Sequence, residues 1–387
     1  MRVLFWVQNL LGTGHLRRAG ILAQAMAREG LEVTVANGGP PAAWLVPEGL
    51  RLEQLPPIRA RDLHLDALLD DRGQPVDDAL WDARRQRLLA LLAELRPAVL
   101  ITEMFPFGRR RFRAELLPLL GAAAAMRPRP RVLSSVRDIL VGKPDQERYV
   151  WMRDAALRHF DRVLVHTDPA VVPFSLTFPL ASDLGGRLVE TGYVTDASRA
   201  PAGDAGRGEV LVSAGGGRVG MRLLEASIEG RALSRARNRP WRLVAGGNVE
   251  PKILAALRAG LPPGMLLEGQ RDDFQTLLAN SLLSVSQAGY NTVVEALKFG
   301  KTMVLVPFET RIETEQRTRA DRLAELGLAG TLRESELGAS SLARAVDDAM
   351  DRPLPPVRLD LGGAARTASL VVALAAGPAP AGPGIAG

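Results

Sequence analysis

Short aliphatic or β-branched runs alternate with longer helical patterns along almost the whole chain, and this constrains the fold more than any other feature. Strand candidates are 3–7, 32–36, 98–102, 132–135, 162–166, 210–214, 241–245, 282–285 and 302–306. Several lack polar alternation, as expected for parallel strands covered on both faces. Between them the spacing predicts helices over 16–29, 78–95, 112–125, 146–159, 221–234, 292–299 and 313–326. Strand–helix alternation of this kind means βαβ units on a parallel sheet, an α/β fold. A Gly-, Pro- and Ala-rich stretch beginning at Asp196 (DASRAPAGDAGRG) separates two series of such units. The expected organisation is a doubly wound Rossmann-like domain over 1–196, a linker over 197–208 and a second such domain over 209–358. A helix over 359–376 is expected to pack back on the first domain, and a low-complexity tail over 377–387 to be disordered.

Two domains suit a chain of 387 residues. The net charge of +6 comes from 49 Lys and Arg against 43 Asp and Glu, and only Lys143, Lys252, Lys298 and Lys301 are lysines. The positive charge is therefore almost all guanidinium, whose planar fork suits phosphate and carboxylate. Nucleic-acid binding would need interleaved aromatics or a known motif, and neither occurs. The chain has no cysteine, which excludes disulfides, Cys–zinc sites and a thiol nucleophile. No targeting segment stands out, and no stretch reaches the ~18 apolar residues of a membrane span.

Three constellations carry chemistry. Gly12, Thr13, Gly14 and His15 follow the first strand and open the first helix, with Arg17 one turn in. Glycines let the backbone approach a ligand, and a helix N-terminus offers free N–H groups. Arg17 stands where a dinucleotide fingerprint would need glycine. A helix N-terminus biases His15 towards its neutral, proton-accepting form; a local capping role is the alternative. The second constellation is Ser213, Gly215, Gly216, Gly217, Arg218 and Gly220, again between strand and helix. Its amides can cradle a diphosphate with Arg218 adding charge, or the glycines can serve only the turn.

The third runs through Gln287, Gly289, Tyr290, Asn291, Thr292 and Glu295. Asn291 or Thr292 can cap the helix, and Glu295 can accept two ribose hydroxyls; a Thr-x-x-Glu capping box is the alternative. Further on, Glu315, Gln316 and Arg319 lie at a helix start, suiting sugar hydroxyls or forming a solvated charged face. The segment 105–113 combines three phenylalanines with Arg109, Arg110, Arg111 and Arg113. Such a patch can bind an anionic acceptor or a membrane surface, or it can turn its phenylalanines inward. Arg137 and Asp138 follow the next strand.

Taken together, these residues resemble the GT-B glycosyltransferases of family 28, typified by the peptidoglycan lipid-intermediate N-acetylglucosaminyltransferase, and a group of bacterial predicted glycosyltransferases of that type. The resemblance rests on Thr102–Arg110 (TEMFPFGRR), Val136–Leu140 (VRDIL), the loop over 212–220, Gly289-Tyr290-Asn291-Thr292 with Glu295, and Glu315-Gln316 with Arg319-Ala320, and it covers Arg2 to about Met350. It implies a GT-B fold, two Rossmann-like domains facing across a cleft, with the nucleotide-sugar donor in the second. Gly215–Gly220 would then hold the diphosphate, Glu295 the ribose and Gln316 the donor sugar. Gln270 and Arg271 fall where the nucleobase sits, and the arginine departs from the apolar pattern of the type enzyme. Gly12, Gly14 and His15 match the acceptor-side loop.

The implied chemistry is a single inverting displacement. His15 or Glu103 removes the proton of an acceptor hydroxyl, which attacks the anomeric carbon of a hexose or N-acetylhexosamine while a nucleotide diphosphate, UDP foremost, departs. No D-x-D triad occurs, and neither metal nor further cofactor is expected beyond the UDP-sugar co-substrate. The expected partners are that donor and a glycan or lipid-linked acceptor at the cytoplasmic face of the membrane, with no nucleic acid. A nucleotide-sugar 2-epimerase or hydrolase of GT-B fold, and a non-catalytic nucleotide-sugar-binding protein, are the alternatives.

Overall fold

The computed structural model describes all residues except 11, 43–46, 62–66, 142–144, 197–200, 216–219, 247–248, 311–313, 353, 356–357 and 378–387, and the side chain of Pro251. The expected tail from Pro378 onward and Gly216, Gly217 and Arg218 lie outside the described residues. The chain forms two units, Met1–Val194 with Asp360–Gly387, and Thr195–Leu359.

In unit 1 the order is β1 (Arg2–Val7), α1 (Gly14–Arg28), β2 (Glu32–Asn37), β3 (Arg51–Gln54), β4 (Arg59–Ala60), β5 (Leu68–Leu69), α2 (Asp78–Leu95), β6 (Val99–Glu103), α3 (Arg113–Ala125), β7 (Arg131–Arg137), α4 (Gln146–His159), β8 (Arg162–His166) and β9 (Leu188–Glu190). The main sheet has seven parallel strands in the order β3-β2-β1-β6-β7-β8-β9, while β4 and β5 form a small antiparallel pair. The apolar strand residues feed two cores. Val3, Phe5 and Val7 pack with Leu16, Leu22 and Met26 of α1; Leu4 and Trp6 pack with Leu88, Leu92 and Leu116 from α2 and α3. Each fully buried side chain of this size contributes roughly 1.5–3 kcal/mol relative to exposure.

Unit 2 repeats the plan with β10 (Val210–Ser213), α5 (Met221–Gly230), β11 (Trp241–Val244), α6 (Pro251–Ala259), β12 (Met265–Glu268), α7 (Phe274–Asn280), β13 (Leu283–Ser286), α8 (Tyr290–Lys298), β14 (Met303–Leu305), α9 (Glu315–Glu325), β15 (Gly330–Thr331) and α10 (Ala339–Asp351). Its six parallel strands run β12-β11-β10-β13-β14-β15. After unit 2 the chain returns to unit 1, where α11 (Gly363–Ala376) packs beside α1.

Both sheets reverse their winding once, between β1 and β6 in unit 1 and between β10 and β13 in unit 2. In open parallel sheets the crevice outside the carboxyl ends of the strands at such a reversal is where ligands bind. The start of α1 with His15 and the end of β6 with Glu103 meet at the first reversal, and the loops carrying Gly215 and Gln287 at the second.

Several elements differ from the sequence expectation. Helix α1 starts at Gly14 rather than at position 16, so His15 lies inside its first turn. Strand β6 is shifted by one residue and ends on Glu103. Helix α8 starts at Tyr290 with Gly289 at its N-cap, so neither Asn291 nor Thr292 caps it, and the Thr292–Glu295 capping box does not form. Strands β3, β4, β5, β9, β12 and β15 and helices α6, α7 and α10 were absent from the expectation. These six strands are two to four residues long, too short for a periodic signal.

Candidate functional site

In unit 1 the site is built on the ends of β1 and β6. Thr13 makes no side-chain cap for α1. Asn9, just after β1, does that work: its Oδ1 accepts the Leu16 N–H at 3.0 Å. The Gly12–Gly14 loop is thus pinned from outside the helix, and the first-turn N–H groups that no helical carbonyl can reach remain turned to the loop. Asn9 is held in turn by Gln8, whose Nε2 donates to Asn9 O at 2.7 Å and Ile58 O at 2.8 Å.

Beneath Gln8 lies Arg84 of α2, fully buried. All its N–H donors are used: Nε to Glu115 Oε2 (2.6 Å), Nη1 to the carbonyls of Gly38 (2.8 Å) and Pro56 (2.5 Å), Nη2 to Gln8 Oε1 (2.9 Å) and Glu115 Oε1 (2.8 Å). Trp6 Nε1 also donates to Glu115, at 3.1 Å. A buried ion pair is tolerated only when its hydrogen-bonding groups are satisfied in this way.

His15 Nδ1 is 2.6 Å from Glu103 Oε1, and Arg18, one turn further along α1, donates to the same oxygen. Glu103 Oε2 is buried and has no hydrogen-bond partner among the described residues. Burial is the largest influence on both groups. It pushes the imidazole down, and Arg109 and Arg137 add to this against the opposing pull of Glu103, leaving it at about 3. Burial alone would raise the Glu103 carboxyl, but His15, Arg18 and Arg109 more than offset this and hold it at about 2. Near neutral pH the pair is therefore a carboxylate beside a neutral imidazole. An ionised Glu103 can only accept, so the proton sits on Nδ1 and Nε2 is the open base. Exposure separates the partners: 14 % of the His15 side chain is accessible and none of Glu103.

The other expected acceptor-side residues divide. Arg109 adopts a left-handed backbone (φ 56°) and donates Nε to Gln8 O at 3.0 Å, next to the loop. Arg137 is half-buried and acts electrostatically on His15. Arg17 is likewise half-buried, Gly12 and Thr13 are exposed, and Gly14 is half-buried. Asp138 is fully buried, with Oδ1 accepting its neighbour Ile139 N–H at 2.9 Å. The phenylalanines of the arginine-rich segment do not face outward: Phe105, Phe107 and Phe112 are buried in the cores. Only the arginines stay at the surface, where Arg110, Arg111 and Arg113 with Leu68, Trp81 and Ala114 line a cavity of about 370 Å³.

In unit 2, Ser213 is buried at the end of β10 and Gly215 follows at φ 66°, a conformation that favours glycine. A Cβ at Gly215 would collide with Gln287 Oε1, so the loop after β13 lies directly on the loop after β10. At Gly220 a Cβ would collide with Ala214 O, so the chain must close on itself before α5 begins. Asn291 and Thr292 are half-buried in the first turn of α8 and Tyr290 is buried.

Glu295 is buried one turn on and accepts the Gln275 Nε2–H at 3.1 Å. Arg319 and Glu315 do not form a solvated face. Both are buried, Arg319 pairs with Glu315 at 2.6 Å, donates to Ala288 O at 2.7 Å and stacks over Tyr290 with its Cζ 5.7 Å from the ring centre. They hold the loop through Gly289 in shape. Gln316 accepts the Phe308 N–H at 3.1 Å, fixing its amide over the end of β14. Gln270 is exposed, and Arg271 is paired with Glu268 at 2.6 Å and Asp273 at 2.7 Å, a local ion-pair cluster.

Comparison with known proteins bears directly on this arrangement. Residues 270–359, which include α8, β14 and α9, match the glycosyltransferase family 28 C-terminal domain. That part of unit 2 is thus similar to a family 28 glycosyltransferase C-terminal domain. Among curated proteins the chain is similar to an uncharacterized glycosyltransferase of Methanopyrus kandleri, 29% identical over 164 residues, 42% of this chain and 44% of that one. It is also similar to the UDP-N-acetylglucosamine–N-acetylmuramyl-(pentapeptide) pyrophosphoryl-undecaprenol N-acetylglucosamine transferase of Nitrosococcus oceani, 33% identical over 135 residues, 34% of this chain and 37% of that one. The chain thus spans less than half the length of these relatives.

Solved structures match over nearly the whole chain. The calicheamicin glycosyltransferase CalG4 aligns with a TM-score of 0.63 at 19% identity, covering 98% of this chain and 100% of that one. The kitacinnamycin glycotransferase aligns with a TM-score of 0.65 at 20% identity, covering 96% and 98%. The expected GT-B fold class is borne out.

Sequence reasoning missed Asn9, Gln8, Arg18, Arg84, Glu115 and the fully buried His166, whose ring nitrogens lie 2.8 Å from Ser135 Oγ and Thr191 Oγ1. Two of these carried a signal. Arg18 lies three residues after His15 on one helix face, and Arg84 lies four before Leu88 on the apolar stripe of α2.

Proposed function

We propose that the protein is an inverting glycosyltransferase that moves a hexose or N-acetylhexosamine from a nucleotide-diphosphate sugar, a UDP-sugar foremost, to an acceptor hydroxyl. The observation that carries this is the His15–Glu103 pair at the sheet reversal of unit 1, 2.6 Å apart and braced by Arg18. His15 Nε2 takes the proton from the acceptor hydroxyl, and that oxygen forms the new bond to the anomeric carbon from the face opposite the leaving group. The carbon–oxygen bond to the diphosphate breaks with its electron pair, and the nucleotide diphosphate departs. Glu103 keeps the imidazole in the Nδ1–H tautomer and stabilises the imidazolium that forms.

On the donor side, charge on the departing diphosphate falls to the amides around Gly215 and Gly220 and to the N-terminus of α5. The mechanism therefore calls for no metal. Glu295 holds the ribose and Gln316 meets the donor sugar, whereas Glu315 and Arg319 keep the loop in shape. The acceptor proposed is a glycan or lipid-linked hydroxyl presented at the cytoplasmic face of the membrane. Support comes from the name of the Nitrosococcus relative and from the surface arginines around the cavity at Trp81. No helix among the described residues is long and apolar enough to cross a membrane.

Thermal-shift screening against UDP-, GDP- and dTDP-sugars identifies the donor, since a ligand bound only by the native state raises the melting temperature by mass action. Product analysis with that donor then tests the reaction. Transfer to an added acceptor, abolished in His15→Ala, is expected; free sugar or an isomerised nucleotide-sugar as sole product would overturn transfer in favour of hydrolysis or epimerisation.

A further inference from the structure

Helix α7 brings Gln275 against the buried carboxylate of Glu295. Gln275 is 4 % exposed, and its Nε2 donates to Glu295 Oε1 at 3.1 Å. A carboxylate can only accept, so the amide must turn its N–H towards Glu295 and its carbonyl away. That carbonyl, Oε1, is buried and has no hydrogen-bond partner among the described residues. A buried acceptor without a donor destabilises the fold, so its place here calls for a ligand that brings one. An orphaned acceptor beside a carboxylate is the complement of a ligand carrying two adjacent hydroxyl donors.

We infer that Gln275 is a specificity-determining residue that makes unit 2 select ribonucleotide over 2′-deoxyribonucleotide donors. Glu295 accepts one hydroxyl of the ribose cis-diol and Gln275 Oε1 accepts the other, while the Gln275 N–H fixes the carboxylate. This rests on the proposal that Glu295 holds the ribose. Removing one hydroxyl leaves an acceptor buried and unpaired in the complex, the situation in which polar sites discriminate most strongly.

The test uses full-length protein and isothermal titration calorimetry with matched pairs, UDP against 2′-deoxy-UDP and GDP against 2′-deoxy-GDP, so that only the hydroxyl differs. Wild type is expected to prefer the ribose form of the base it binds by about tenfold or more, the scale of one well-placed hydrogen bond. Gln275→Met and Gln275→Leu, with folding checked by thermal denaturation because they also remove the hydrogen bond to Glu295, are expected to narrow that ratio to within about threefold, mainly by weakening the ribonucleotide. Equal wild-type affinities, or a ratio the two variants leave intact, would overturn the inference; so would a parallel loss for both sugars, which marks a purely structural role. Glu295→Gln separates the two levels. If it leaves ribonucleotide binding unchanged, or if wild type binds no nucleoside diphosphate, the ribose site itself fails and Gln275 with it. If it weakens binding while the Gln275 variants keep the ratio, only the role of Gln275 falls.

Discussion

The two units share one plan, yet their charged residues do opposite work at the sheet reversal. In unit 1 the charges converge on a reactive group: Arg18 and Glu103 are buried, Arg18 donates to the Glu103 carboxylate, and Glu103 pairs with His15, whose side chain stays partly accessible. In unit 2 the buried pair Arg319–Glu315 turns inward to a backbone carbonyl and a tyrosine ring. What is left there to meet a ligand is backbone and side-chain amide, from Gly215 to Gln287 and Gln316, with the Glu295 carboxylate proposed for the ribose. Proton transfer needs a tuned base and so a constellation of ions, whereas holding a diphosphate and a sugar needs a shaped surface of donors and acceptors. The same fold serves both because the reversal brings two loops together whatever side chains they carry.

The contrast can be broken at its strongest point in unit 2. Arg319→Met leaves Glu315 buried without its partner and is expected to cost about 3–5 kcal/mol, lowering the calorimetric transition of unit 2 and not that of unit 1. A loss of donor affinity at unchanged stability would instead make Arg319 a ligand contact. The next largest effect belongs to unit 1, where His15→Ala is expected to lower turnover about 10²–10⁴-fold while nucleotide affinity stays within about twofold. Equal loss of both in single-turnover and binding measurements would erase the division of labour.

Acid distinguishes the units more gently. His15 and His166 both lie at about 3, pushed down foremost by burial. Below about pH 6.5 the unfolded chain binds protons at these positions that the folded chain refuses, so stability is complete above that pH and falls as pH drops towards 3. At pH 5 the expected loss is roughly 2 kcal/mol per histidine. Glu103, held at about 2, acts in the same sense, its contribution fading as pH falls below the ordinary carboxylate range. Urea denaturation of unit 1 at pH 7 and pH 5, with His166→Asn as control, checks the sign and size; stability rising in acid would contradict it. The smallest effect is expected at Arg271, whose partners Glu268 and Asp273 are partly solvated. Arg271→Ala should change stability by under about 1 kcal/mol, and a larger drop in nucleotide affinity than in stability would give the guanidinium a place at the nucleobase.

Much of this was legible in the chain. The buried parallel strands around 3–7, 162–166 and 210–214 declare themselves because a strand covered on both faces has no room for polar alternation. Helices α2 and α4 matched their expected limits, Asp78–Leu95 and Gln146–His159, because Asp77 and Asp145 cap them locally, accepting the N–H groups of Leu80 and Arg148. Helix α1 was misplaced for the same reason inverted: its cap, Asn9, comes from the segment just after β1, outside the helix. The alternative of a solvated charged face at Glu315 and Arg319 failed because a charged i, i+4 pair looks alike in sequence whether it faces water or the protein interior.

The α/β class, the glycine loops after the first strand of each series, and the candidates His15, Glu103 and Glu295 follow from the chain alone, since these depend on local geometry and residue chemistry. Their states follow from the folded arrangement. Glu103 lies 88 positions from His15 and Arg84 lies 76 from Gln8. Whether such residues touch, and whether a histidine is neutral or a carboxylate ionised, depends on which strands become neighbours and how completely water is excluded between them. Strand order and burial are properties of the whole sheet, and no window of sequence contains them.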